Sequence, residues 1–186
     1  SHGGQVSVMD IVARDLRTEH DLLVYHANWY NLPLGEAVMG QFSAHEHRFG
    51  IHAGEIETAM MLALRPDLVD MQKAWDFKST SEQRAKKYPI LGNGVSAKMG
   101  WQMQDYNVSG AAGNAVAATA DKGRALLDAA GQQLALLLQE LANLPLDTLH
   151  DRASYRYFWQ VIERARRTGQ PLPVEVQVQF FGDALS

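Results

Sequence analysis

The sequence contains no cysteine among its 186 residues. That excludes disulfides and thiolate metal centres, so any bound ion must rest on His, Asp and Glu. Long apolar runs are lacking too. The most hydrophobic stretch, residues 126–144, is interrupted by Gly131, Gln132, Gln133 and Gln139 and is too polar to span a bilayer. A net charge of -4 leaves no basic footprint for nucleic acid. There is no P-loop, no GxGxxG, no HExxH and no GxSxG. These absences argue against nucleotide binding, zincin proteolysis and the usual serine hydrolases. No secretory signal opens the sequence, and the expectation is a cytoplasmic protein that binds neither membrane nor nucleic acid. The sequence opens on Ser1 rather than an initiator Met. That reads as an N-terminus left by a cut, and Ser-His also fits the remnant of a removed tag.

What is present is the profile of one globular domain, with 46% hydrophobic and 20% charged residues. After the glycine loop at Gly3-Gly4, the spacing of Val8, Ile11, Val12 and Leu16 predicts a helix. Residues 22–29 read as a buried strand, and helix followed by strand is half of an α/β repeat. Residues 31–50 read as a long irregular connection. A helix is expected from near Gly54 to just before Pro66, because the residue before a proline avoids the helical region. Residues 70–89 read as polar surface, and a short strand is expected within 96–107. Thr119 is placed to cap a long helix from about Ala120 to about Leu144, with Leu126, Leu127, Leu134, Leu137, Leu138 and Leu141 as its apolar stripe. Residues 153–167 predict an amphipathic helix, and 174–181 alternate as a one-face-buried strand.

Three groups of residues could carry chemistry. The first is His52, Glu55 and Glu57. Glu55 falls in the first helical turn, where the dipole favours a negative charge. Glu57 precedes Met60 and Met61 at helical spacing, so it is expected to face the core, where a carboxylate must be paired or bound to metal. His52 is read equally well as a loop histidine or as a site residue. The second is His2 beside Gly3-Gly4, where small residues allow close backbone approach to a ligand. The third, His45-Glu46-His47, is favoured as a solvated loop. His20, His26 and His150 have no convergent partners, and Trp29, Trp101 and Asp105 read as pocket lining or core.

Three segments, taken together and in order, resemble the creatininase (creatinine amidohydrolase) family. "SHGGQVSVMDIVARDL" is similar to its N-[GS]-H-G-G-N loop and following helix. "IHAGEIETAMMLALRPDLVDM" is similar to H-x-G-x-x-E-T-S-L-M-L-x-L-x-P-x-x-V. "GAAGNAVAATADKGRALL" is similar to G-[DN]-x-x-x-A-T-x-E-K-G-x-x-L. The resemblance implies an α/β chain with the family's three-layer α/β/α sandwich, its N-terminal part missing. The family's E-x-H-G-x-H-L-P-x-x-T-D motif has no counterpart here. Residues 1–149 would be the C-terminal portion of that domain, and 150–186 a helix-strand extension.

The same resemblance implies a metal-dependent amidohydrolase that cleaves a C–N bond in a small-molecule substrate, a cyclic amide or similar. The cofactor would be a divalent metal (zinc, manganese or iron), and the assembly a homo-oligomer, often a hexamer in the family. His2 matches a metal-ligand histidine. His52 matches the histidine that handles substrate and protons, and Glu57 the active-site glutamate, which would ligate metal or orient water. Departures are visible. Gly4 stands where creatininases carry a ligand glutamate, Gln5 replaces an Asn, and Arg48-Phe49 replace a Trp-Asp pair. Creatinine itself is therefore not the expected substrate. A non-catalytic assembly or binding subunit that keeps the fold is the alternative.

Overall fold

The structure is a computed structural model that describes residues 3–149 and 152–172. It divides into two compact units, Ser1–Gly3 with Ala27–Ala142 and Gly4–His26 with Asn143–Ser186.

The larger unit is organised by two helices. Helix α4, Glu55–Leu64, starts at Gly54 and ends before Pro66, as the sequence predicts. Helix α6, Ala120–Asn143, begins where Thr119 accepts the backbone N–H of Lys122 at 3.3 Å. They meet at a close contact: Ala59 is fully buried, and a Cβ added at Gly123 would collide with the Ala59 carbonyl oxygen. Only glycine lets the two backbones approach this far. Around that crossing lies the core of Leu34, Phe42, Ala59, Ala118 and Leu126, with Ile56, Met60 and Leu62 packed against it. Leu126 is wholly buried, worth about 1.5–3 kcal/mol. The expected leucine stripe is only partly covered. Leu134 and Leu138 are exposed, because the described residues place little against the second half of α6.

Two short helices, α2 (Glu36–Met39) and α3 (Ala44–Phe49), occupy the segment expected to be irregular. Ser43 caps α3 by accepting the Glu46 N–H at 3.0 Å. Helix α5, Thr80–Lys87, carries a capping box of Ser79 and Glu82 and ends on Arg84, Lys86 and Lys87, a charge order that suits the helix dipole.

Strand structure is sparse. β1 (Asp76–Phe77) pairs antiparallel with β2 (Gly113–Asn114), and His52 makes an isolated bridge to Ala112. The three-layer sandwich implied by the resemblance is not seen in the described residues, which hold this one two-stranded sheet. The strand expected at 22–29 is instead irregular up to Asn28, with a helical turn at Trp29–Asn31. A strand exists only when another strand satisfies its N–H and C=O groups, and no ladder partner for 22–28 lies among the described residues. Within 96–107 the structure has a turn at Met103–Asp105 rather than a strand, closed by Asp105 accepting the Gln102 N–H at 2.8 Å.

In the second unit, helix α1, Val6–His20, carries the ion pairs Arg14–Asp10 at 3.1 Å and Arg17–Asp21 at 2.9 Å. Its predicted apolar residues Val8, Ile11 and Val12 are largely exposed. Helix α7, Arg152–Thr168, forms as the periodicity predicts. The strand expected at 174–181 lies outside the described residues. No described helix is long and apolar enough to cross a membrane.

Candidate active site

The start of α4 brings His52 and Glu57 together. Backbone bonds clamp His52 to Ala112, with Ala112 N–H donating to the His52 carbonyl at 2.8 Å and His52 N–H donating back at 3.2 Å. The next residue, Ala53, sits in the left-handed region at φ 53°, which is uncommon without glycine and marks a held conformation. Two bonds hold it. Its N–H donates to Glu57 Oε2 at 2.6 Å, and its carbonyl accepts from Thr58 Oγ1 at 3.3 Å. The bend turns the chain back on itself. His52 Nδ1 then stands 3.2 Å from Glu57 Oε2.

Glu57 does not point into the core. Its side chain is 46% exposed and that of His52 is 50% exposed, at the wall of a cleft. Among the described residues, two other carboxylates face inward. Glu55, expected to do no more than complement the dipole, is 3% exposed and pairs with Lys122 Nζ. Lys122 also donates to the Ala117 carbonyl at 3.3 Å and lies over the Phe42 ring. Glu46, expected in a solvated loop, is 2% exposed and accepts the Glu55 N–H at 2.7 Å and the Asn114 N–H at 2.9 Å.

The cleft encloses about 430 Å³, and its walls include Trp29, Tyr30, His47, His52, Ile56 and Glu57. Trp29 and Tyr30 meet edge to face, 5.9 Å between ring centres. Gly3 also lines it, whereas His2, expected as a metal ligand, lies outside the described residues. The His45-Glu46-His47 trio is split by one turn of α3. His45 turns to Glu82 at 3.3 Å, Glu46 goes inward, and His47 Nε2 donates to the Met39 carbonyl at 2.8 Å on the cleft side. His20 stands 4.0 Å from Glu19 and His26 3.9 Å from Asp10. His150 is outside the described residues. Trp101 meets Tyr106 edge to face and does not line this cleft.

Among the described residues, no three His, Asp or Glu side chains converge as a metal-binding group. Both Glu46 oxygens are taken by backbone N–H groups, and Glu57 Oε2 is shared between Ala53 and His52. His52 and Glu57 alone are too few for an ion that normally takes three or more protein ligands. The described donors therefore do not complete a metal centre.

His52 and Glu57 at the head of α4, Gly3 on the cleft wall and the start of α6 at Ala120 all fall within the segment that matches a known family. The model of the creatininase (creatinine amidohydrolase) family matches residues 1–138. The chain belongs to this family of amidohydrolases. Among solved structures, it is similar to a Bacteroides fragilis NCTC 9343 protein assigned as a creatinine amidohydrolase, with 26% identity and a TM-score of 0.56. That match covers 81% of this chain and 53% of the other, so the chain spans about half the length of its structural relative. None of the curated proteins matches it.

Proposed function

We propose that this chain carries the acid–base portion of an amidohydrolase that cleaves a C–N bond in a small cyclic amide or amide-like molecule. The observation that supports it is the 3.2 Å approach of His52 Nδ1 to Glu57 Oε2 on the wall of the cleft. With Nδ1–H donated to the carboxylate, Nε2 is the basic atom. It takes a proton from the water that attacks the carbonyl carbon. As the C–N bond breaks, it returns that proton to the leaving nitrogen. Glu57 holds the ring in that tautomer and stabilises the imidazolium formed between the two transfers. Trp29, Tyr30 and Ile56 supply the apolar wall that a small ring packs against.

Metal dependence and the family's three-layer architecture belong to the same proposal. The ion would need His2 and donors beyond the described residues. The test is hydrolysis of a panel of cyclic amides by the full chain, with metal content measured alongside. Turnover is expected to fall about 10²–10⁴-fold in Glu57→Gln, as for loss of a general acid–base group. Wild-type turnover in that variant would remove Glu57 from the mechanism. A second reading, a non-catalytic assembly or binding subunit, draws on the donor set being incomplete among the described residues. Stoichiometric transition metal in purified protein would end it.

A further inference from the structure

Glu46 is an ionisable side chain that the proposed mechanism does not use. Its two oxygens accept N–H groups from segments nine and 68 residues away in sequence. The first donor, Glu55, opens α4, whose first turn carries Glu57. The second, Asn114, belongs to β2, just beyond the Ala112 whose backbone grips His52. One carboxylate thus ties together both arms that hold the pair.

The surroundings leave it no freedom. Gly54 and Gly113 press against it, and a Cβ at Gly54 would collide with Oε1. Gly113, at φ 141°, is in a conformation that L side chains rarely adopt. A carboxylate accepts at both oxygens and donates at neither, so it satisfies two N–H groups at once. A glutamine would turn its own NH₂ toward one of them. The charge is answered by the N–H groups and dipole at the head of α4.

We propose that Glu46 is a positioning residue: by bracing the head of α4 against β2 it sets the distance between His52 and Glu57. This rests on the reading of those two residues as the acid–base pair.

Carbethoxylation of the full chain by diethyl pyrocarbonate, followed residue by residue in peptide mass spectra, tests it. Nε2 of a histidine whose Nδ1–H is held by a carboxylate is the better nucleophile, so the rate at His52 relative to exposed His20 reads the pairing. Exposed His20 serves as the internal reference for reagent dose, and the melting temperature reads general loosening. Glu57→Gln is expected to lower the His52/His20 ratio severalfold. If it does not, the pairing itself fails, independently of Glu46. Given that drop, Glu46→Gln is expected to lower the ratio comparably, and Glu46→Asp less, because a shorter carboxylate keeps one of the two bonds. A melting temperature that falls in Glu46→Gln while the ratio stays at the wild-type value would overturn the proposal. Amide hydrogen exchange on the wild-type chain gives a readout that does not depend on how the variants fold. Strong protection of the Glu55 and Asn114 N–H groups is expected, and exchange at the rate of open chain would overturn the proposal equally.

Discussion

Ala53 and Lys122 each hold a group where it would not otherwise stay. Ala53 is the hinge of the bend that lets His52 meet Glu57. A β-branched side chain tolerates a left-handed backbone still less than alanine does. Ala53→Val is therefore expected to cost about 1–3 kcal/mol. The loss should appear as an earlier urea midpoint, with an unchanged slope if the bend is lost locally. Lys122 neutralises Glu55, whose side chain is 4% exposed. Removing one partner of a buried pair strands the other, so Lys122→Ala should destabilise by about 3–5 kcal/mol. A loss below 1 kcal/mol, on the order of an exposed pair, would show that water reaches Glu55.

At the scale of elements, the crossing of α4 and α6 is the joint that supports the cleft. Gly123→Ala drives a methyl into the Ala59 carbonyl and should cost about 1–3 kcal/mol through forced separation of the helices. Leu126→Ala leaves a cavity in the same joint and should cost about 2–5 kcal/mol. Leu138→Ala, on the same helix but 57% exposed, should change stability by less than about 0.5 kcal/mol. Denaturant titration of the three variants checks the order. The helix bounds that made these choices possible were legible from sequence, because capping and proline stops act within a few residues. Thr119 caps α6 and Pro66 follows the end of α4 where local rules place them. Glu46 was illegible for the opposite reason. "HEH" between glycines shows no periodicity, and its middle residue is buried where N–H groups nine and 68 residues later need acceptors. Residues 22–28 misled in the other direction. Their composition suits a strand, but a strand is a property of two segments, and among the described residues none pairs with this one.

Across the whole molecule, large apolar side chains reach solvent, among them Ile11, Tyr25, Leu136 and Trp159. Contiguous apolar patches mark surfaces that other protein covers, whereas single exposed side chains are ordinary. We propose, from the family resemblance alone, that the chain forms a homo-oligomer, which light scattering should show as a mass several times that of one chain. A monomer at micromolar concentration would count against it. The pairing of His52 with Glu57 could be anticipated from the motif alone, since the two lie within one short segment. The direction of the Glu57 side chain could not, because helical spacing near Met60 and Met61 says nothing of a bend at Ala53 that pulls the carboxylate toward the cleft.

The glycines around Glu46 have a consequence for how this site can drift over generations. A methyl acquired at position 54 or 113 would leave no room for the acid, and a smaller residue at 46 would leave two amides thirsty. Each change alone costs stability. Lineages that abandon the arrangement should therefore be found to have altered these positions jointly, and hybrids that exchange only one of them should melt at a lower temperature than either parent.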